Sequence, residues 1–311
     1  MASNVPGGTR IPRFGGSQVK GAILNTFSLH NMFLIEPSIY WEMSSTHLIL
    51  EKLMMPAQLP RLSRSRLLTL LEKSLASCTS TIISARAGAG KTALAVDFAR
   101  SCGRRVAWYK VDAPDGELPA FLEYLSAAIR EQRPGFRGPR EAELPMDAVA
   151  DHAVSIAERF VYELAESGNE PLLIVIEDLH LVCDSTWLIP FVTRLLPLLP
   201  SHVHVLITSR TMPPAPLWRM RSKQTLAVID EETLKFNRSE AVALFQGYGL
   251  SQEQACIALD HTHGRAAALS SFAMTLQLAE RKGSERTKAY AQASATVPAE
   301  GTTAFGVANN E

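Results

Sequence analysis

Cysteine is scarce in this chain: four in 311 residues, Cys78, Cys102, Cys183 and Cys256, with no two in a Cys-x-x-Cys spacing. That excludes a zinc knuckle and a paired redox motif, and leaves buried thiols in a reducing cytosol as the expectation. Net charge is lacking too, because 31 Lys and Arg are matched by 31 Asp and Glu. No overall field draws the chain to nucleic acid or an anionic membrane, so DNA binding would need a local site. No apolar run reaches the roughly 20 residues that span a bilayer. The longest, residues 22–35, is broken by Asn25, His30 and Asn31. The first residues also lack a basic stretch leading into a short apolar core and cleavage site, so a cytoplasmic protein without a membrane partner is expected.

What is present is an apolar content of 46%, ample for the core of one large domain or two small ones. The first fifty or so residues are rich in Gly, Ser and Asn without a steady period and predict no packed element, with Met43, Met54 and Met55 as alternative starts. Leu67, Leu68, Leu70, Leu71 and Leu75 then share one helical face behind Ser63, an N-cap candidate. Strands follow at 81–84, 105–111, 172–176 and 202–208. Helices alternate with them at 91–101, 118–131, 146–166 and 186–199, around a Pro/Gly-rich loop at 134–145. Uninterrupted apolar strands alternating with helices predict an α/β three-layer sandwich, a parallel sheet covered on both faces. A last strand is read at 225–229 and a block of helices at 238–281, a small helical domain beside the sheet.

Residues 85–92 read Ala-Arg-Ala-Gly-Ala-Gly-Lys-Thr between a strand and a helix, the context of a phosphate-binding loop of the form Gly-x-x-x-x-Gly-Lys-Ser/Thr. Its glycines let backbone N–H groups close around phosphates, and the helix N-terminus adds its positive dipole end. The candidate cradle is Ala87, Gly88, Ala89, Gly90, Lys91, Thr92 and Ala93, with ATP and Mg²⁺ as the expected ligands. Lys91 would reach the β and γ phosphates, and the Thr92 hydroxyl would face the metal. Ala85 replaces the first glycine of the strict pattern, which is tolerable if that position needs no positive φ.

Such a site also needs a carboxylate at the C-terminal end of a neighbouring parallel strand. Glu177 and Asp178, directly after the strand at 172–176, meet that need. Glu177 occupies the place where Asp usually holds the metal, and Asp178 would orient or deprotonate the attacking water. Arg210, at the end of the strand at 202–208, either senses the γ phosphate or is a surface arginine. His180, just past the acidic pair, reads as a packing or hydrogen-bonding residue. Four segments result: an irregular or disordered extension at 1–55, a P-loop nucleotide-binding domain at 56–222, a helical lid at 223–282 and a disordered tail at 283–311.

With these residues in hand, the chain resembles the STAND class of signal-transduction ATPases, and within it the nucleotide-binding region of MalT-like, LuxR-type transcriptional regulators. The matching stretches are Lys52-Leu53 with 60–68, 85–92, 106–112 with 121–129, 176–181, 206–210, and 234–245 with 264–269. The resemblance implies an ATP/ADP switch with slow Mg²⁺-dependent hydrolysis, a weak ATPase in transcriptional regulation. It implies that a P-loop domain, a helical domain and a following winged-helix-like region enclose the nucleotide. It places Arg64 or Arg66 near the adenine. It also aligns Gly264-Arg265-Ala266 with a Gly-x-Pro turn that touches the base, here without the proline. Family members usually continue into a helical-repeat sensor and a DNA-binding helix-turn-helix, and this chain stops before them. Residues 238–258 superficially read as a helix-turn-helix, but they match the lid and are not basic, so no direct DNA binding is expected. The partners expected besides ATP are a homo-oligomer or a regulatory protein. The alternative is a non-catalytic nucleotide-binding module, or a truncated regulator without sensor and DNA-binding domains.

Overall fold

Seven consecutive buried residues, Val203–Ser209, make the middle strand of a five-stranded, all-parallel sheet. Such runs are mostly apolar, here through Val203, Val205, Leu206 and Ile207, because helices cover a parallel sheet on both faces. The computed structural model describes residues 48–139, 149–212, 215–223 and 225–295. The strands are β1 (Ser80–Ser84), β2 (Arg105–Lys110), β3 (Leu172–Glu177), β4 (Val203–Ser209) and β5 (Leu226–Ile229), in the order β2-β3-β4-β1-β5. The α-helices are α1 (Ser65–Ser77), α2 (Lys91–Ser101), α3 (Leu118–Gln132), α4 (Val149–Glu166), α5 (Leu188–Leu198) and α6 (Ala215–Ser222). Beyond the sheet follow α7 (Glu231–Leu234), α8 (Arg238–Gln246), α9 (Gln252–Thr262) and α10 (Ala266–Ala295). The architecture is an α/β sandwich around a parallel sheet followed by a helical block, as expected.

Successive strand residues point to opposite faces, and β2 shows what each face holds. Trp108 joins a core built from α1 and α2, with Leu67, Leu71, Leu94 and Phe98 against Ile83, Val175 and Leu206. Tyr109 faces the other way, edge-on to Phe121, which in turn meets Trp187 and Phe191. Parallel register brings the strand ends to one edge. Lys110 pairs with Glu177, Ile176 with Ile207, and Ser84 with Ser209. Everything that follows β1, β3 and β4 therefore emerges on the same side.

The helical block has its own core of Leu244, Phe245, Tyr248, Leu250 and Leu269, against which Leu62 and Phe236 pack. Capping boxes at Asn237/Glu240 and Ser251/Gln254 start α8 and α9 by satisfying backbone donors reciprocally.

Several expectations are corrected. Ser63 is not the cap of α1: Arg64 holds that position, without a side-chain cap bond. Leu70 lies outside the apolar stripe, exposed. The boundary at 222/223 falls too early, since β5 pairs with β1 and completes the sheet. The extension read over 1–55 ends earlier as well. Leu50–Leu53 forms a 3₁₀ turn with Lys52 and Leu53 buried, because Lys52 Nζ meets Asp115 at 2.8 Å and Asp112 at 3.4 Å. The tail expected from 283 is still helix to Ala295; its Ala, Glu, Arg, Lys and Gln residues are good helix formers, and one glycine costs only about 1 kcal/mol. Residues 1–47 with Met43, residues 140–145 of the Pro/Gly-rich loop, residues 146–148 at the start of the helix read from 146, and 296–311 lie outside the described residues. The cysteines are free but half-buried rather than buried. Among the described residues no helix is long and apolar enough to cross a membrane.

One buried polar chain lies at the other end of the sheet. His204 Nε2 is 2.9 Å from Thr81 Oγ1, which is 2.5 Å from Ser74 Oγ, and His204 Nδ1 is 3.1 Å from the Cys78 carbonyl. Burial holds the His204 pKa down at about 4. The folded state thus resists a proton that the unfolded chain accepts near pH 6.5. This contribution is complete above pH 6.5 and is lost as pH falls toward 4, by about 3 kcal/mol in all. Urea unfolding between pH 7 and 4.5 should show that slope, reduced in His204→Gln. Equal slopes in the two proteins would contradict it.

Candidate functional site

The loop after β1 closes tightly because Gly88 and Gly90 take φ of 78° and 92°, left-handed conformations that favour glycine. Ala85 is not among the residues with positive φ. It is buried, and its N–H donates to the Ser209 carbonyl at 3.2 Å. Alanine therefore serves where the strict signature has glycine.

Lys91 opens α2 with its ammonium turned back under the loop, donating to the Ala85 carbonyl at 2.7 Å and the Arg86 carbonyl at 3.2 Å. Burial pushes its pKa down, Asp178 pulls it up and Arg210 pushes it down again. Thr92 donates its hydroxyl to Glu177 Oε1 in a short hydrogen bond. Glu177 is 4% exposed, so this carboxylate is fixed at the mouth of the loop. Asp178 has a φ of 59°, a conformation that costs a non-glycine residue about 1–3 kcal/mol and tends to mark functional sites. Its N–H donates to Thr208 Oγ1 at 3.0 Å, tying the turn after β3 to the end of β4. Arg210 is exposed at the same edge.

Beside Gly90 and Ala93 opens a cavity of about 520 Å³, walled on one side by α2 and residues 58–62 and on the other by Phe236, Tyr248, Ala266 and Ser270. Of the two arginines expected near an adenine, Arg64 lines this cavity. Its guanidinium lies 4.5 Å over the Phe236 ring and donates to the Leu234 carbonyl at 2.6 Å. Arg66 is not a lining residue. It is held by Glu240 at 3.2 Å and donates to the Thr233 and Lys235 carbonyls, which makes it a tie between α1 and the helical block. The turn Gly264-Arg265-Ala266 does reach the cavity, through Ala266, without the proline.

Contacts of the loop with the helical block were invisible in the sequence. The Ala267 N–H donates to the Gly88 carbonyl at 2.9 Å, and Arg265 Nη2 to the Ala87 carbonyl at 2.5 Å. A Cβ on Gly88 would lie 3.0 Å from Ala267 Cβ, so that glycine is needed for fit as well as for φ. Arg86 Nη2 lies 2.7 Å from Glu231 Oε1, and this guanidinium holds the Glu231 pKa down at about 2. Arg86 is 79% exposed, and an exposed pair contributes little stability, so its effect is on orientation.

No protein-family model matches the chain. It is 30% identical over 232 residues to the HTH-type transcriptional regulator MalT of Yersinia enterocolitica, covering 73% of this chain and 25% of that protein. It is also 30% identical over 200 residues to MalT of Yersinia pestis, 64% of this chain and 22% of that one. The chain carries a MalT-like P-loop region. This MalT-like region spans about a quarter of the length of the curated relatives it matches. Among solved structures, a Walker-type ATPase of Pyrococcus abyssi superposes with a TM-score of 0.42 at 12% identity, over 78% of this chain and 80% of that one. The replication initiator DnaA does so with 0.41 at 16% identity, over 76% and 67%.

Proposed function

We propose that the MalT-like region is an ATP/ADP switch that hydrolyses ATP slowly with Mg²⁺ and serves in signal-controlled transcriptional regulation. The observation that carries this is the Thr92 hydroxyl bonded to the Glu177 carboxylate beside Lys91 at the mouth of the glycine loop.

The donors present suit Mg²⁺, a hard cation bound through one or two protein oxygens plus substrate phosphates. Thr92 and Glu177 supply such oxygens. Among the described residues no cluster of three His, Cys, Asp or Glu side chains offers an all-protein cage. When bound, the metal neutralises charge on the β and γ phosphates. Residues 87–93 bind the phosphates through backbone N–H groups, and Lys91 leaves its two carbonyl partners for phosphate oxygens. Arg210 faces the γ phosphate from the end of β4. Asp178 orients a water for in-line attack on the γ phosphorus. As the new P–O bond forms, the bond to the β–γ bridging oxygen breaks, its electron pair leaves on ADP, and the proton of the water passes to Asp178. The cavity beside Gly90 takes the base, with Arg64, Phe236 and Tyr248 as its walls and the Asp97 carboxylate available to the exocyclic amine of adenine.

A second reading, in which nucleotide is held without turnover, is favoured by the direct ties between loop and lid, which resist release of whatever they enclose. Calorimetric titration with ATP and ADP, with and without Mg²⁺, tests the common part. ATP should bind several-fold more tightly with Mg²⁺ than without, and the nucleotide carried through purification should be ADP. Absence of binding under both conditions would remove both readings.

A further inference from the structure

Three successive residues of the loop, Arg86, Ala87 and Gly88, are each tied to a residue that lies beyond β5 in the chain. Glu231 accepts the Arg86 N–H at 3.1 Å together with the Arg86 guanidinium. Arg265 Nη2 donates to the Ala87 carbonyl at 2.5 Å, and the Ala267 N–H to the Gly88 carbonyl at 2.9 Å. The turn that carries Arg265 is firmly seated. Gly264 has a φ of 74°, its carbonyl takes the Phe236 N–H at 2.8 Å, and a Cβ on it would lie 2.7 Å from the Phe236 carbonyl oxygen. Ala267 lies in the first turn of α10, where a helix has N–H groups without partners of their own, and the Gly88 carbonyl takes one of these. The Arg265 guanidinium lies along Gly88, with Nε and Nη2 3.5 Å from the place of a Cβ.

A peptide bond is planar and trans, so its C=O and its N–H point in opposite directions. A carbonyl of Ala87 held toward Arg265 turns the N–H of Gly88 away from it. Among the described residues no protein acceptor takes that N–H. The loop itself has little to fix this plane, because glycine is conformationally permissive and the alanines beside it offer no polar side chain. We infer that Arg265 is a positioning residue of the loop: it fixes the Ala87–Gly88 peptide so that the Gly88 N–H is aimed at phosphate oxygens before the nucleotide arrives. A donor set in place beforehand spares the ordering cost of binding. Glu231 and Ala267 hold the residues on either side, and Arg265 itself touches neither nucleotide nor metal. The inference rests on the reading of residues 85–92 as a phosphate-binding loop.

Arg265→Met removes the donor and keeps an unbranched stem, whereas Arg265→Lys keeps a donor and the charge. Arg265 is exposed, so apo thermal unfolding of both variants should match wild type. The probes are ATP and inorganic tripolyphosphate, titrated at low salt and at high salt, where exposed charges are screened. Arg265→Met should bind both probes about 10-fold more weakly, the scale of one hydrogen bond to a charged group, at either salt. Arg265→Lys should recover most of that loss. In wild type the Gly88 amide proton should move downfield in NMR spectra when tripolyphosphate binds, and it should move less in Arg265→Met. A loss confined to low salt overturns the inference alone, because it marks a long-range charge rather than a fixed peptide. Unchanged binding by Arg265→Met overturns it too, as does a Gly88 amide that stays in place while tripolyphosphate binds to wild type. If Arg265→Met fails to fold, Arg265→Gln, whose amide stops short of the Ala87 carbonyl, takes its place under the same outcomes. A wild type that binds neither ATP nor tripolyphosphate overturns this inference and the nucleotide reading together.

Discussion

Lys91→Ala is expected to weaken ATP binding by at least about 100-fold, since a charge-assisted contact to phosphate inside a loop is among the stronger polar interactions. The lysine can be removed without opening a hole in the sheet, because its ammonium touches the Ala85 and Arg86 carbonyls rather than the apolar core. Stability should thus change little while affinity collapses, and thermal unfolding of the apo variant separates the two effects. Ligand-induced stabilisation should follow affinity: excess ATP should raise the melting temperature of wild type and leave the variant unmoved. Equal affinity in the two proteins would show that residues 85–92 are a glycine turn before a helix and nothing more.

Asp178→Asn is expected to give a different pattern, with ATP bound as in wild type and single-turnover hydrolysis reduced by about 10²- to 10⁴-fold, the usual contribution of a general base. Asparagine keeps the size of the side chain and leaves the backbone bond to Thr208 untouched. It also tolerates the left-handed backbone at 178. Loss of function can then be assigned to the missing proton acceptor. Unchanged release in the variant would remove Asp178 from the chemistry. No release above background in wild type would favour the non-catalytic module, with the ties between loop and lid as its basis. Glu177 in place of the shorter aspartate bears on the same measurement, because the longer arm already reaches Thr92.

The readable parts of the fold were those where chemistry and sequence lie close together. β1, the loop and α2 are contiguous, and the loop's demands for left-handed backbone at 88 and 90 are met by glycine and by nothing else in that stretch. β3 and β4 were legible because a strand buried on both faces must be largely apolar. The same logic failed at the margins. Leu50–Leu53 carries no period long enough to read, and its order comes from Lys52 finding Asp115 sixty-three positions away. β5 was placed with the helical block because a strand of four residues carries little pattern, whereas its pairing with β1 assigns it to the sheet. Arg66 looked equivalent to Arg64, two positions apart; Arg64, on non-helical backbone just before α1, lines the cavity, whereas Arg66 in the first turn of the helix reaches Glu240.

By itself, the sequence determined the class of the sheet, the phosphate loop and the acidic pair, because each is dictated by local backbone sterics or by an unbroken apolar run. Only the tertiary structure decided that Arg265 and Ala267 reach the loop, that Arg86 pairs with Glu231, and that His180 turns back on Asp178. The two partners Arg265 and Ala87 are nearly 180 residues apart along the chain. Contacts over such separations depend on where whole elements come to rest, a sum over many packing interactions that no short stretch encodes. The contact between His180 and Asp178, though local, hangs on one left-handed residue whose strain the surrounding fold sustains.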